Sequence, residues 1–181
     1  IIIMKYSCQD LQQSIYFGPR ELRHCCQRFF VDGKMKGDVK ILSTASDVDI
    51  DPERIIKEKK KIIENLNNKK STPCDGCPKI QYKNWSEEIK INKISIEAHS
   101  KCNARCSYCS EMFYGGLNPN YDLENMLIKF KNQNFFEKNV AITWGGGEPV
   151  LLKNFNKIFE EFMKSKQPNF EDVRVYSNSI I

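Results

Sequence analysis

The second half of the sequence alternates strand-like with helix-like segments, and this order restricts the fold more than any other feature. Residues 94–98, 140–144 and 173–176 have the two-residue period or the β-branched composition of strands. Between them, apolar residues recur at helical spacing in 123–130 and 155–162. The alternation predicts an α/β fold with a parallel sheet and helices packed on it.

A polar or glycine-rich segment follows each of these predicted strands. The first runs into a cysteine-rich loop at 102–109, the second into Trp-Gly-Gly-Gly-Glu-Pro at 144–149, and the third into Ser177 and Asn178. In parallel α/β proteins the carboxyl ends of the strands lie at one edge of the sheet, where ligands bind. We therefore predict that the three loops form one site.

Three cysteines stand within eight residues, at Cys102, Cys106 and Cys109. Thiolates at this density suit zinc or an iron–sulfur cluster, whereas disulfides between such close neighbours are unfavourable. A structural zinc ion and an ordinary four-iron cluster each take four protein ligands. Three ligands therefore leave one metal position open to a substrate or cofactor.

The cysteine spacing, the aromatic Tyr108 before the last cysteine, and Gly-Gly-Glu-Pro at 146–149 together resemble the radical S-adenosylmethionine (SAM) enzymes. In that superfamily the three thiolates hold a four-iron–four-sulfur cluster, whose fourth iron chelates the amino and carboxylate groups of SAM. Tyr-Ser-Asn-Ser at 176–179 is similar to a variant of the Thr-Asn-Gly motif after the third strand, without its glycine. The resemblance covers about residues 90–181.

The resemblance implies that the three cysteines of the loop bind the cluster. It also implies a set of SAM-binding residues, namely Tyr108, Gly145, Gly146, Gly147, Glu148, Ser177 and Asn178. The residue types alone leave other roles open, because glycines after a strand also fit a sharp turn. Likewise, Glu148 fits a role in orienting its loop, and Ser177 with Asn178 fits a helix cap. No particular side chain is predicted to be catalytic, and His24 and His99 are interpreted as non-ligating.

The fold implied by the resemblance is the first half of a partial (βα)6 barrel of the TIM type, with three of its six units. We expect this radical SAM core at residues 90–181, as a fragment or as an unusually short member. Residues 1–89 are predicted to form a small cysteine-rich α+β region before it. In this region we expect a hairpin of 29–31 with 39–42, a helix that begins after Asp51, and a linker at 79–90.

Five further cysteines lie in this first region, at Cys8, Cys25, Cys26, Cys74 and Cys77. The Cys-Asp-Gly-Cys knuckle at 74–77 presents two thiolates to one metal. Cys8 and one of Cys25 or Cys26 are predicted to complete an auxiliary site, although buried, inert cysteines are the alternative. The arrangement resembles the SPASM or twitch extensions that hold auxiliary iron–sulfur clusters, which usually follow the barrel. Zinc in place of iron–sulfur stays open.

Composition excludes some function classes. Eight cysteines without a secretion signal predict a reducing compartment, hence a cytoplasmic location. No apolar run reaches the roughly 18 residues of a membrane helix. The formal charge of +5 is modest, and its densest lysine run, at 57–61, is typical of a solvated helix face. Nucleic acid and membrane are therefore not predicted partners.

The resemblance implies an oxidoreductase-like radical chemistry. An electron donor such as flavodoxin or ferredoxin would reduce the cluster, SAM would be cleaved, and a 5′-deoxyadenosyl radical would abstract a hydrogen atom. A peptide or protein substrate is expected first, and a carbohydrate second. The alternative class is a non-enzymatic iron–sulfur or zinc module, either a redox sensor or an RNA-binding protein. That class gives no reason for the glycine motif.

Overall fold

The computed structural model describes residues 1–44, 50–109, 116–163 and 168–178. Its strands and helices in chain order are β1 (Ile2–Ser7), α1 (Gln9–Gln13), β2 (Ser14–Phe17), β3 (Glu21–Arg23), β4 (Arg28–Val31), β5 (Lys34–Gly37), β6 (Lys40–Ser43), α2 (Pro52–Asn67), β7 (Gln81–Ser86), β8 (Ile91–Ile96), α3 (Leu123–Asn132), β9 (Phe136–Trp144), α4 (Phe155–Met163) and β10 (Asn169–Val175). Gly115 and Ser179, which belong to predicted loops, lie outside the described residues.

A six-stranded sheet in the order β10-β9-β8-β2-β3-β6 forms the centre of the molecule. Strands β2, β8, β9 and β10 run parallel, whereas β3 and β6 are antiparallel additions at one edge. The predicted α/β class with a parallel sheet is confirmed, since the three predicted strands of the second half are β8, β9 and β10. The six-unit barrel stays a prediction.

Strands from both predicted regions share this sheet. β2 pairs in parallel with β8, in a register that places Tyr16 opposite Ser95 and Phe17 opposite Ile96. Through this pairing β3 and β6 also extend the sheet. The division of the chain at residue 89 stays a prediction, but the first region is hydrogen-bonded to the second along a whole strand.

The predicted linker at 79–90 is wrong, because Gln81–Ser86 forms strand β7. This strand pairs antiparallel with β1 in a separate two-stranded ribbon, where the Tyr6 and Tyr82 rings lie 4.8 Å apart. Both strands are largely exposed, so no apolar alternation was needed and none appears in the sequence. The hairpin partner of β4 is also different: Lys34–Gly37 returns beside it, whereas Lys40–Ser43 pairs with β3.

The two faces of the parallel sheet differ in polarity. On one face lie buried Ile94, Ile96, Ile142 and Trp144, and the neighbouring Phe17 packs against Phe130 of α3 at 6.1 Å. Helix α4 packs on the same face through Phe155, whose ring lies 5.2 Å from that of Trp144.

Strand side chains alternate between faces, so residues paired in register point the same way. The opposite face therefore carries polar residues in one row across four strands, namely Tyr16, Ser95, Thr143 and Arg174. Among the described residues, no helix has the length and apolar composition needed to cross a membrane.

Candidate cluster and cofactor site

The three predicted loops meet at one edge of the sheet. The ladder hydrogen bonds continue just past the strand ends: Gly145 N donates to Ile96 O at 2.9 Å, and Tyr176 N donates to Trp144 O at 2.9 Å. The loops after β8, β9 and β10 therefore start side by side. The structure brings together the segments that the sequence analysis assigned to one site.

Two of the three glycines allow the second loop to touch the backbone that leads into the cysteines. Gly147 N donates to His99 O at 3.1 Å, and a Cβ on Gly147 would lie only 2.0 Å from Lys101 O. Gly146 has φ +90°, and a Cβ there would lie 2.7 Å from His99 O. A Cβ on Gly145 would meet nothing closer than 3.8 Å. Close backbone approach thus requires glycine at 146 and 147 but not at 145.

Glu148 joins the second loop to the third. Its side chain is 1% exposed, and its Oε2 accepts a hydrogen bond from Asn178 N at 2.7 Å. Its backbone carbonyl lies 3.0 Å from His99 Nε2, which must carry the proton because a carbonyl only accepts. Burial lowers the pKa of His99. These contacts show Glu148 orienting its loop; its predicted contact with SAM stays a prediction.

The cysteine loop is a turn with three half-buried thiols. Cys109 N donates to Cys106 O at 3.0 Å, which folds the last two cysteines back toward each other. From the third loop, Asn178 Nδ2 donates to Cys102 Sγ at 3.4 Å and to Asn103 Oδ1 at 2.8 Å. Tyr108 is 88% exposed, and a hydrogen bond with Cys106 raises its pKa. Ser177 is exposed beside Asn178.

The donor chemistry of this loop fits an iron–sulfur cluster. No three His, Cys, Asp or Glu side chains of the described residues converge on the position of a single metal ion. In a four-iron cluster each cysteine binds its own iron atom, so the ligands stand further apart than those of one ion. Three thiols on a turn, one of them already accepting an N–H, match that requirement.

Sequence reasoning missed a residue pair that borders the site. The Tyr16 hydroxyl donates to Glu97 Oε2, and the Arg23 guanidinium lies 5.2 Å from the Tyr16 ring centroid. Glu97 also borders the glycine loop, since a Cβ on Gly146 would lie 3.1 Å from Glu97 Cα. Burial and the Glu97 charge raise the pKa of Tyr16. No local pattern reveals this pair, because its members are 81 residues apart and meet only through the β2–β8 pairing.

The polar face of the sheet borders a cavity of about 290 Å³. Residues of both predicted regions line it. The first region contributes Tyr16, His24 and Cys26, and the parallel strands contribute Ser95, Thr143 and Arg174. The strand that joins the two regions therefore also makes them share a cavity.

The five cysteines of the first region separate into two groups. Cys8 and Cys74 are buried, Cys25 and Cys77 are half-buried, and Cys26 is exposed. Burial first, and charges on neighbouring thiols after it, raise the pKa of Cys8 to about 11 and that of Cys74 to about 12. For Cys26 the strongest charged neighbour is Glu97. Cys26 therefore differs from the other four in its exposure, and it lines the cavity together with Cys25.

Comparisons with known proteins agree with the geometry of the second half. Residues 96–181 match the model of the Radical SAM superfamily. Over 92 residues the chain is 27% identical to the GTP 3',8-cyclase of Clostridium acetobutylicum. This matched segment covers 50% of this chain and 28% of that protein. The chain thus spans well under a third of the length of this curated relative. No solved structure matches the chain.

The family match begins at the end of β8 and includes all three loops of the site. Within it, the cysteine turn, the glycines at the backbone contact and the amide of Asn178 lie together at the carboxyl edge of the parallel strands. On this sequence match and this arrangement, residues 96–181 are similar to the radical SAM superfamily.

Proposed function

We propose that the protein is a radical SAM enzyme whose cluster is held by Cys102, Cys106 and Cys109. When bound, the cluster supplies one electron that cleaves SAM into methionine and a 5′-deoxyadenosyl radical, which abstracts a hydrogen atom from the substrate. The observation that carries the proposal is that the glycine loop contacts the backbone leading into the cysteines while Asn178 contacts Cys102, all at one sheet edge.

The chain's own residues have binding and positioning roles in this proposal. The backbone contacts from Gly147 and Glu148 to His99 and Lys101 fix the glycine loop against the segment before the cysteines. Buried Glu148 holds the third loop through Asn178 N. The Asn178 amide donates to the Cys102 sulfur, and hydrogen bonds to the sulfurs help to set the reduction potential of a cluster.

The substrate class is proposed from the polar cavity and from the composition of the first region. The row of polar residues on the polar face of the sheet and the cavity beside it suit a polar substrate. A peptide or protein rests on the resemblance of the first region to auxiliary-cluster extensions, and a carbohydrate is the second candidate. The relative named above acts on GTP by its name, and its short overlap with this chain gives no reason to extend that substrate here.

The electron donor and the compartment are also proposals. A flavodoxin or ferredoxin would supply the electron, since the cluster must be reduced before SAM is cleaved. A cytoplasmic location is proposed from the eight cysteines of the sequence, a number that favours metal binding in a reducing compartment.

A non-enzymatic iron–sulfur module is the competing function. It explains the cysteine turn, but it needs no glycine loop pressed against the backbone of the cysteine segment. The two functions differ in whether the cluster responds to SAM. That response is therefore the property to measure.

The test uses anaerobically reconstituted protein and the electron paramagnetic resonance spectrum of its reduced cluster. We expect SAM to change the spectrum of the wild type, because SAM binds the open iron position. The variant with Cys102, Cys106 and Cys109 all replaced by alanine should show no such change. Cys26→Ser, which removes an exposed thiol elsewhere, is the matched control and should respond like the wild type. A SAM response in the triple variant would show that the cluster is bound elsewhere.

A further inference from the structure

We propose that Glu97 binds an organic ammonium group of the substrate in the open space over Gly145, and that Tyr16 from the first region holds the Glu97 carboxylate for this contact. The inference rests on the proposed function, because it names the substrate class of that same site. It gives a role to a pair of residues that are 81 positions apart in the sequence.

Gly145 leaves a space beside the site that its own backbone does not require. Its φ lies outside the left-handed region, so its conformation is open to other residues. A Cβ on Gly145 would lie 3.8 Å from Glu97 Cγ and Oε1 and 3.9 Å from Tyr176 Cδ2, which is ordinary van der Waals distance. The missing side chain therefore leaves a gap bordered by a carboxylate oxygen and a tyrosine ring. We call this space the Gly145 gap.

Tyr16 holds one oxygen of the Glu97 carboxylate and leaves the other to the gap. The buried Tyr16 hydroxyl donates to Glu97 Oε2. Burial and the Glu97 charge raise the pKa of Tyr16, so this donor stays protonated. The backbone is fixed as well, since Glu97 N donates to Phe17 O at 2.8 Å. Glu97 Oε1, the oxygen on the side of the gap, accepts no hydrogen bond from any described residue.

The half-buried Glu97 carboxylate has no cation within ion-pair distance in the part of the chain that the structure describes. The nearby Arg23, which lies 5.2 Å from the Tyr16 ring centroid, pairs with Glu21 at 2.5 Å instead. An ionised carboxylate only accepts hydrogen bonds, so the complementary group in the gap is a donor. The uncompensated charge favours a cationic donor, because charge-assisted hydrogen bonds are stronger than neutral ones. The Tyr176 ring favours the same choice, since aromatic rings attract ammonium groups.

The cavity of about 290 Å³ on the polar face gives the rest of the substrate a place beside the gap. Tyr16 lines this cavity and also contacts Glu97, so the two spaces are neighbours. The charged residues of the lining balance one another, namely Asp10, Lys93, Asp172 and Arg174. A lining without net charge suits a small neutral, polar body, and the charge of Glu97 then selects a substrate by its amine.

The amino group of SAM is the other source of positive charge for the gap. In the proposed function SAM binds the open iron through its amino and carboxylate groups, so its amino group needs no carboxylate partner. In addition, Glu97 is held by a residue of the first region, which the family match does not include. Both points favour the substrate over SAM.

The first experiment measures whether the wild type selects an amine. n-Butylammonium chloride and n-butanol, which are similar in size but differ in charge, are titrated into the anaerobically reconstituted protein in a calorimeter. We expect saturable binding of the amine, at least about tenfold tighter than that of the alcohol, as one hydrogen bond between charged groups provides. Equal affinities, or no saturable binding of the amine, would overturn the proposal.

The second experiment tests Glu97 against a matched glutamate. Glu97→Gln should lower the affinity for the amine about tenfold and leave that for the alcohol unchanged. The control is Glu137→Gln, a half-buried glutamate on β9 whose charge is paired with Lys90 at 3.3 Å. This control should change neither affinity. Equal amine affinities in the two variants would show that Glu97 is not the partner of the amine.

Tyr16→Phe tests the positioning role. The variant keeps the Glu97 charge but releases Oε2, and we expect the ratio of amine to alcohol affinity to fall about threefold. A general loss of packing would change both affinities together and leave this ratio as it is. An unchanged ratio would therefore remove Tyr16 from the proposal.

The third experiment fills the gap. Gly145→Leu places a side chain between Glu97 and Tyr176 and should abolish saturable binding of the amine. Gly145→Ala, whose Cβ would meet nothing closer than 3.8 Å, should retain it. Circular dichroism reports whether both variants fold. Amine binding that persists in folded Gly145→Leu would place the ligand elsewhere, and the Glu97→Gln measurement still decides the proposal if Gly145→Leu does not fold.

The last experiment separates the substrate from SAM. The amine is titrated again into wild type that has been saturated with SAM, and we expect its affinity to remain unchanged. If SAM displaces the amine, the gap belongs to SAM and the inference is overturned. Failure of the proposed function is read separately, from a cluster spectrum that does not respond to SAM in protein that still binds the amine.

Discussion

The two cysteine sets of this chain are built in opposite ways. Cys102, Cys106 and Cys109 lie within eight residues on one half-buried turn. Cys8, Cys25, Cys74 and Cys77 come from three segments up to 69 residues apart, two of them buried in the hydrophobic core. The first set depends on its own sequence and on backbone contacts around it. The second depends on how the first region packs.

This difference predicts that replacing a cysteine of one set affects the stability of the fold differently from replacing a cysteine of the other. A ligand on a loop can be removed with little effect on the core, because few apolar contacts depend on it. A cysteine that is also a core residue contributes to the stability of the fold. The comparison teaches that the spacing of cysteines predicts a loop-built site directly, whereas a site assembled from distant cysteines leaves no such pattern in the sequence. The following predictions test it, from the largest effect to the smallest.

Single thiol replacements should separate the two sets most clearly. Cys106→Ser should abolish the SAM response of the cluster and change the free energy of unfolding of the metal-free chain by less than about 0.5 kcal/mol. Cys74→Ser should leave the SAM response and cost about 2 kcal/mol, because it places a hydroxyl in the core. Urea unfolding in chelator and the cluster spectrum measure both effects. Equal stability losses for the two variants would contradict the comparison.

Two glycine-to-alanine replacements compare a Cβ that would meet backbone atoms with a Cβ that would meet only a side chain. Gly147→Ala should destabilise the chain by about 3 kcal/mol, since its Cβ would lie 2.0 Å from the rigid Lys101 carbonyl. Gly76→Ala should cost about 1 kcal/mol, because φ is +80° and its Cβ would meet only the Val31 side chain, at 2.6 Å.

Gly145→Ala is the matched control for the glycine loop. Its nearest neighbour would lie at 3.8 Å, so a change of under about 0.5 kcal/mol is expected. Denaturant unfolding gives all three values. If Gly145→Ala is as harmful as Gly147→Ala, the close contact with Lys101 is not what requires glycine.

Glu148→Ala tests whether a side chain, as well as backbone hydrogen bonds, holds together the three loops at the edge of the sheet. The replacement leaves Asn178 N without its 2.7 Å acceptor, and we expect a cost of about 2 kcal/mol. The third loop should also release Cys102, which lowers the yield of cluster on reconstitution. Glu171→Ala, at an exposed position in β10, is the control. Equal cluster yields in the two variants would remove Glu148 from the positioning role.

His99 should give a small pH dependence. Burial lowers its folded-state pKa below the ordinary value of 6.5, so the unfolded chain takes up the proton first on acidification. The stability is therefore present above about pH 6.5 and is lost as pH falls toward the lowered folded pKa. From pH 7.5 to 5.5, the wild type should lose about 1 kcal/mol more than His99→Gln. Chemical unfolding at the two pH values measures this, and identical losses would contradict it.

Part of the site could be predicted because its signals are local. Residues 94–96, 140–144 and 173–175 do lie in strands, and each of those strands delivers a predicted segment to the same edge. Helices α2, α3 and α4 also lie where capping residues and apolar periodicity placed them. Strand β7 was missed because an exposed ribbon carries no apolar pattern, and the roles of the predicted cofactor residues toward SAM stay predictions.

The sequence by itself determined the cysteine turn, the glycine loop and the parallel order of β8, β9 and β10, since each depends on neighbouring residues and on short-range periodicity. Only the tertiary structure decided that β2 joins β8 and brings Tyr16 to Glu97. It also decided that Lys59 is buried and that its Nζ donates to Asp10 O and Leu11 O. The physical reason is that these contacts join residues tens of positions apart, and packing of the whole chain selects them from many pairings that are equally compatible with the local sequence.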